Sequence, residues 1–138
     1  MSRSIHDLTV GDIVELRLVD DLKRTTIVQY AGASGDFNPL HTDEVFATEV
    51  AGYPSVFAHG MLTMGMTGRV VTDTFGVDSI ASFGGRFTAQ VFPGDSLTAV
   101  LTVDAIDTDA TTVSVVTRNQ RDEVVFSGHA RIRADQPT

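Results

Sequence analysis

The chain has 138 residues, of which 42% are hydrophobic and 20% charged, and its formal net charge is −8. A length of this order fits one domain, taken as residues 1–138, with a single hydrophobic core. The acidic balance argues against a nucleic-acid partner, because such binding depends on lysine and arginine meeting phosphates, and the lack of cysteine excludes disulfides, thiolate catalysis and cysteine-ligated metal.

The start of the chain is predicted to pass from a loose polar segment into a strand. Residues 1–10 are polar and include no apolar stretch typical of a secretory signal, and no part of the chain has the roughly 20 apolar residues of a membrane span. We therefore expect a cytoplasmic protein with no membrane partner. After Gly11, the positions Val14, Leu16 and Leu18 alternate with polar neighbours, which is the period of a half-buried strand.

Two short helices are predicted before the middle of the chain. Thr26 and Gln29 have the spacing of a capping box, which predicts a helix from there to about Ala33, although the β-branched run 25–28 is also compatible with a strand. A second helix is predicted over 42–50, because Thr42 can cap it and its first turn is acidic.

The longest helical pattern covers residues 58–75 and is apolar or small around most of its circumference. Such a helix is expected to be buried, and its methionines are assigned to the core. The helix also contains Gly60, Gly65 and Gly68, each of which costs about 1 kcal/mol relative to alanine inside a helix. We therefore expect a close backbone approach along this helix.

From residue 77 onwards the pattern is that of strands joined by short turns. Apolar and polar residues alternate over 82–91, 97–104, 113–115 and 124–133, and turn residues separate these runs. Together with the apolar helix, the strands predict an α+β fold in which a curved antiparallel sheet of about five strands wraps around one long buried helix. Gly84-Gly85 is interpreted as a bulge or a close approach within a strand.

An acid and a histidine lie close together in the segment 30–41, YAGASGDFNPLH. Asn38-Pro39 predicts a turn, because proline disfavours a helical conformation for the residue before it, and this turn lets Asp36 and His41 point at a common spot. Such a pair can move protons to and from a water as general acid and base. The spacing is equally compatible with an Asx-turn aspartate and a helix-capping histidine. The four histidines are too scattered for metal-ligand spacing, so no metal site is predicted.

Three blocks of the sequence resemble the MaoC-like hydratase 2 family of (R)-specific enoyl-thioester hydratases and 3-hydroxyacyl dehydratases. They are YAGASGDFNPLHTDEVFA from Tyr30, AHGML from Ala58 and RFTAQVFPGD from Arg86. They occur in the family's order and approximate spacing, and they span most of the chain from about Tyr30 to Asp95. The sequences of the first two blocks are most similar to those of the catalytic subunit of the actinobacterial heterodimeric dehydratases of type II fatty acid synthesis.

The resemblance implies a hot-dog fold whose units dimerise side by side into one longer sheet, either as a homodimer or with a related subunit. It implies hydration of trans-2-enoyl thioesters, or the reverse dehydration, by a water held between Asp36 and His41. The substrate would carry coenzyme A or phosphopantetheine, and no metal or redox cofactor is expected. The resemblance also implies that the backbone N–H of Gly60 binds the thioester carbonyl, which fits the free N–H groups at a helix start.

Some positions allow a second interpretation. Asn38, with Pro39, is assigned to support of the loop rather than to the reaction. His59 could be a second base, but a histidine that begins a buried helix more often satisfies neighbouring backbone groups. Some family members carry a serine where Gly68 stands, and the glycine would either enlarge the acyl channel or shift polar contacts elsewhere.

Two other functions stay open at this point. A thioesterase on the same fold would also use a carboxylate and a water, although the G-D-x-N-P-x-H run resembles hydratases. A binding subunit of a heterodimer would have lost the acid–histidine pair. Because Asp36 and His41 are both present, this chain would be the catalytic partner of such a heterodimer.

Overall fold

The computed structural model describes residues 7–134, which form five strands and two α-helices. The strands are β1 (Ile13–Val19), β2 (Ile80–Phe87), β3 (Leu97–Ile106), β4 (Ala110–Arg118) and β5 (Val124–Arg133). The helices are α1 (Arg24–Ser34) and α2 (Gly60–Phe75), with a π-helix at Phe46–Val50 and a 3₁₀ turn at Val77–Ser79. No helix in this range is long and apolar enough to cross a membrane, and the cytoplasmic location stays a prediction.

The five strands lie in one antiparallel sheet with the order β1-β3-β4-β5-β2. β3, β4 and β5 follow one another through short turns, as the pattern of strands and turns predicted. That pattern also placed β2 next to β3, which is wrong, because β2 pairs with β5 and forms one edge of the sheet, while β1 forms the other. α2 packs against the sheet and contacts β1, β2, β3 and β5. The predicted α+β fold with about five strands is therefore confirmed.

The core lies between the helices and the sheet. Alternate residues of the central strands, among them Leu97, Leu101, Val113 and Val115, are fully buried, because strand side chains point in turn to opposite faces. Leu8 also joins this core, so the expectation that residues 1–10 are loose is wrong at that residue. The part of that expectation that concerns residues 1–6 lies outside the described residues.

α2 is buried on one side only. The buried side is built mainly from Thr63, Thr67, Val70, Val71 and Thr74. The threonine hydroxyls are satisfied inside the protein: Thr67 Oγ1 donates to the Thr63 carbonyl oxygen at 2.8 Å and lies 2.7 Å from Thr117 Oγ1 of β4. Because such threonines need no water, they can fill the inward face of a helix.

The opposite side of α2 borders an open groove of about 380 Å³. Met61 is 55% exposed there, and Met64, Gly65 and Gly68 share the groove with side chains of β2. The expectation of burial around most of the circumference is thus wrong for the chain by itself, as is the core assignment of Met61 and Met64. Met66 does pack against the core as predicted.

The two shorter helices do not begin at the capping residues that the sequence predicted. α1 begins at Arg24 after Lys23, which makes no side-chain cap, so the capping box at Thr26 is wrong, although the helix itself is confirmed over the strand alternative. The helical segment 44–50, which includes the π-helix, begins after Asp43 rather than Thr42, and Asp43 Oδ1 accepts the N–H of Phe46 at 3.1 Å.

A close approach occurs at Gly85, where β2 pairs with β5. Gly85 stands opposite Gly128, and a Cβ on Gly85 would lie 2.5 Å from the Ser127 carbonyl oxygen and 2.7 Å from the Gly128 Cα. The Phe126 ring packs beside both glycines. The close approach predicted for Gly84-Gly85 is therefore found at the second of these residues.

Candidate active site

The loop from Gly35 to His41 is built from consecutive turns. α1 ends at Ser34 and is followed by Gly35, whose φ of 78° lies in the left-handed region that favours glycine and whose N–H donates to the Ala31 carbonyl oxygen. Asp36 Oδ1 accepts the N–H of Asn38 at 3.2 Å, and Asn38 Oδ1 accepts the N–H of Leu40 at 3.0 Å. These Asx turns are the local reason that the chain reverses here.

The reversal brings Asp36 and His41 together. Asp36 Oδ2 lies 3.9 Å from His41 Nε2, and the two side chains are 53% and 10% exposed respectively. The structure therefore places a half-exposed carboxylate beside a buried imidazole. Asn38 and Pro39 lie in the turn between them, and their carbonyl oxygens accept the N–H groups of residues 41 to 43.

The tautomer of His41 follows from its other ring nitrogen. His41 Nδ1 lies 2.7 Å from the carbonyl oxygen of Phe57, and a carbonyl oxygen can only accept, so Nδ1 carries the proton. In the neutral ring Nε2 then holds the lone pair, and this is the nitrogen nearest Asp36. No sequence signal could have found this partner, because any residue at position 57 supplies a carbonyl.

The space between Nε2 and Oδ2 suits one water. Two acceptors 3.9 Å apart can both lie within about 2.8 Å of a water oxygen, where they subtend an angle of about 90°, near the angle between the two O–H bonds of water. A water donating to both acceptors keeps its oxygen lone pairs free for attack on carbon.

Gly60 is the first residue of α2. The N–H groups of Leu62 and Thr63 bond to the His59 carbonyl oxygen, whereas the Gly60 N–H makes no hydrogen bond within the described part of the chain. A cavity of about 290 Å³ borders Gly60, and its walls include Phe57 and Phe87 but not Asp36 or His41. The helix start therefore presents a free donor to this cavity, next to the phenylalanine whose carbonyl holds His41.

His59 has contacts that its place in the sequence did not predict. Its ring stacks on His41, with centroids 3.8 Å apart and planes inclined by 24°, and its Nε2 lies 2.9 Å from the carbonyl oxygen of Asp36. Tyr30 packs edge-on against the same ring. His59 is 2% exposed. Since the carbonyl oxygen can only accept, Nε2 carries the proton, and the buried Nδ1 has no partner within residues 7–134.

The three side chains could be considered as metal ligands, since Asp36, His41 and His59 each offer a ligand atom within 4.8 Å of the other two. A zinc ion requires its ligand lone pairs to converge at about 2.0–2.2 Å. The lone pairs of two stacked imidazoles lie in nearly parallel planes and do not converge. The geometry therefore suits a bound water better than a metal ion, and the prediction that no metal is used stays a prediction.

Most of the chain is similar in sequence to known proteins of one family. The sequence model of the MaoC-like domain family matches residues 7–125. The 3-hydroxyacyl-thioester dehydratase Y of Mycobacterium tuberculosis is 45% identical over 71 residues, which are 49% of this chain and 24% of that protein. The matched part of the chain therefore spans only about a quarter of the length of this curated relative.

Two solved structures resemble the fold over nearly the whole chain. R-hydratase PhaJ1 from Pseudomonas aeruginosa has a TM-score of 0.83 at 25% identity, covering 96% of this chain and 85% of that one. The ChsH1–ChsH2 complex from Mycobacterium tuberculosis has a TM-score of 0.80 at 27% identity, covering 92% and 98% of the two chains. The predicted hot-dog fold is confirmed by these likenesses.

Proposed function

The chain belongs to the MaoC-like domain family, and from this membership and the site geometry we propose that it adds water to trans-2-enoyl thioesters. The product is an (R)-3-hydroxyacyl thioester, and the reverse reaction is the corresponding dehydration. The observation that carries the proposal is the His41 Nε2 lone pair beside the Asp36 carboxylate, 3.9 Å apart, where one water can donate to both.

The reaction needs one water and one proton relay. As the water oxygen bonds to Cβ, one of its O–H bonds breaks and the proton passes to His41 or Asp36. The electron pair of the Cα–Cβ double bond moves through the conjugated system onto the thioester oxygen. A proton from the pair then reaches Cα on the same face, so both side chains end the turnover in their starting protonation states.

The Gly60 N–H is assigned to the thioester oxygen. That oxygen gains negative charge as the enolate forms, and a donor at a helix N-terminus stabilises such charge without having to reorganise. The largely apolar cavity beside Gly60 supports a thioester as the ligand of this region. Because the addition of water involves no net oxidation, we propose that no redox cofactor takes part, and because the lone pairs of the stacked His41 and His59 rings do not converge, we propose that no metal does either. Coenzyme A or phosphopantetheine would arrive with the substrate.

A second hot-dog subunit is proposed to cover the open side of α2. The groove beside Met61 and Met64 is apolar and exposed, and it continues onto β2, which is an edge strand of the sheet. The similarity to one chain of the two-subunit ChsH1–ChsH2 complex supports a partner of the same fold. The partner is either a second copy of this chain or a related subunit.

The test of the function is hydration of short, medium and long trans-2-enoyl thioesters by the purified protein, followed as loss of the conjugated enoyl absorbance. Each thioester is supplied on coenzyme A and on acyl carrier protein, and the chirality of the product is determined. We expect Asp36→Asn and His41→Ala each to lower kcat by about 10²–10⁴-fold, the usual contribution of a general acid or base.

Matched controls are Asp73→Asn and His129→Ala, which make the same kinds of change at exposed residues outside the site and should leave kcat unchanged. Release of free thiol with no hydroxyacyl product would replace the hydratase by a thioesterase. Hydration at wild-type rates in folded Asp36→Asn or His41→Ala would remove these residues from the reaction.

A further inference from the structure

We propose that His59 is a positioning residue that holds both members of the Asp36–His41 pair, a role that deepens the function proposed above and rests on it. The Nε2–H of His59 donates to the Asp36 carbonyl oxygen at 2.9 Å, and the same ring stacks on His41 at a centroid distance of 3.8 Å. One buried side chain thus contacts both the backbone that carries the acid and the ring that carries the base.

A direct part in proton transfer does not fit the contacts of His59. Its Nε2–H is committed to the Asp36 carbonyl oxygen. Its Nδ1 is buried and has no hydrogen-bond partner within the described part of the chain. Neither ring nitrogen is therefore available to exchange a proton with a substrate, which separates His59 from His41, whose Nε2 lies beside the Asp36 carboxylate.

The choice of histidine at position 59 is explained by the hydrogen bond. Burying the unpaired Nδ1 acceptor of His59 is unfavourable in itself. A phenylalanine at this position would also stack on His41 and would avoid that cost. Histidine adds a donor for the Asp36 carbonyl oxygen. This carbonyl belongs to the residue whose carboxylate stands 3.9 Å from His41 Nε2, so losing the bond frees the acid to move away from the base.

The ring of His59 is itself held in place. Tyr30 of α1 packs edge-on against it with centroids 4.8 Å apart, and His59 directly precedes Gly60, the first residue of α2. His59 therefore connects the end of α1, the acid–histidine loop and the start of α2. Small displacements of reacting groups are expensive in catalysis, about 10²-fold for 1 Å, so a residue with these contacts should influence the rate without touching the substrate.

Two substitutions separate the two contacts. His59→Phe keeps a ring against His41 and removes the donor, whereas His59→Gln keeps an N–H donor near the Nε2 position and removes the ring. We expect each to lower kcat by about 10–100-fold with little change in KM, because the acid–base pair loses its alignment while the substrate contacts are kept. His129→Phe and His129→Gln, the same changes at an exposed histidine, should leave both constants unaltered.

A measurement that requires no turnover is the ¹⁵N NMR spectrum of the His41 ring without substrate. The wild-type ring should show the Nδ1–H tautomer set by the Phe57 carbonyl oxygen. His59→Gln should shift or broaden the His41 signals, because the stacked ring is gone, and His59→Phe should largely retain them. If the wild-type protein has no hydratase activity, the proposed function fails, but this spectrum still tests the positioning role.

Folded His59 variants with wild-type kcat and unchanged His41 signals would overturn the proposal, as would a loss that lies wholly in KM. If neither variant folds, Tyr30→Leu removes the ring that packs edge-on against His59. We expect this variant to lower kcat by up to about tenfold relative to the wild type and to shift or broaden the His41 signals. Wild-type values for both measurements in Tyr30→Leu would contradict the proposed role.

Discussion

Asp36 combines a structural and a chemical role in one side chain. Its Oδ1 accepts the N–H of Asn38, whereas its Oδ2 is the oxygen nearest His41. The two interpretations that the spacing left open, a turn former and an acid–base residue, are therefore compatible, because a carboxylate has two oxygens. Asp36→Asn retains an oxygen acceptor for the turn and removes the charge, so it tests the chemistry with little disturbance of the loop.

Gly60 is the second residue at which one substitution is informative. A Cβ at position 60 would lie 2.9 Å from the nearest atom of the Phe87 ring, which is half exposed and free to swing outward. We expect Gly60→Ala to change the free energy of unfolding by no more than about 1 kcal/mol, because alanine's helix propensity offsets the displaced ring. The methyl group and the ring would crowd the proposed oxyanion donor, so kcat/KM should fall by about tenfold or more.

Thermal unfolding and initial rates measure the two effects of Gly60→Ala separately. Gly32→Ala is the matched control, since Gly32 lies inside α1 with nothing within 4 Å of the added Cβ, and it should leave activity unchanged. Recovery of activity in the double variant Gly60→Ala/Phe87→Ala would assign the loss to the ring. Full activity of Gly60→Ala alone would argue against a role for this position.

At the scale of elements, an ion pair joins the start of α1 to Glu44, two residues before the π-helix. Arg24 Nη1 donates to Glu44 Oε2 at 2.6 Å, and the same oxygen accepts the N–H of Val56 at 3.3 Å. The hydrogen bond from Arg24, followed by that from Val56, lowers the pKa of Glu44. The loop that carries Asp36 and His41 lies between these two helices, so the pair contributes to holding its ends.

The sign of the resulting pH dependence follows from the lowered pKa. Folding lowers the pKa of the Glu44 carboxyl, so its ionised form stabilises the folded state. This contribution is fully present above the pKa of glutamate in the unfolded chain, about 4.3. It is lost as the pH falls through the lower pKa of the folded state. We expect Glu44→Gln to lower Tm by a few degrees at most at pH 7, since the pair is exposed, and the difference from wild type to disappear near pH 3.

Thermal unfolding followed by circular dichroism at both pH values makes this comparison. Glu49→Gln, an exposed acid within the π-helix, controls for the loss of one negative charge and should show little difference from wild type at either pH. A Tm difference for Glu44→Gln that persists or grows toward pH 3 would contradict the assignment of the stabilisation to the ionised carboxylate.

At the scale of the whole molecule, the open side of α2 is the surface on which we expect a second subunit to bind. Met61 is more than half exposed, so replacing it by glutamate should cost the folded chain little by itself. In the groove that we assign to a partner subunit, a buried charge without a counter-ion is strongly unfavourable. We expect Met61→Glu to reduce the molecular mass in solution from dimer to monomer and to lower activity.

Light scattering after size-exclusion chromatography gives the mass directly. His129→Glu places the same charge on an exposed position of β5 and should leave the assembly intact. If the wild-type protein is monomeric by itself, the partner is a related subunit, and the same pair of variants is compared for binding to it. An unchanged dimer in Met61→Glu would place the interface on another surface.

Features that depend on residue type within a short stretch could be predicted from the amino-acid sequence alone. Strand alternation predicted the consecutive strands β3, β4 and β5, the Asn38-Pro39 turn predicted that Asp36 and His41 would meet, and the apolar run predicted α2. These sequence patterns are local, because the same side chains that form the pattern also form the turn or the buried face that it predicts. Where a local signal failed, as for the capping box at Thr26, the helix began two residues earlier, after Lys23, without a side-chain cap.

The contacts that complete the site join residues that are distant in the sequence or depend on backbone atoms, and they are seen only in the folded chain. The Nδ1–H tautomer of His41 depends on the carbonyl of Phe57, and the stack of His59 on His41 joins residues from opposite ends of a loop. The side of α2 that is buried depends on threonines whose hydroxyls find partners in the helix backbone and in β4. Backbone carbonyls and satisfied hydroxyls have no signature in residue type or period, so these contacts appear only when the chain has folded.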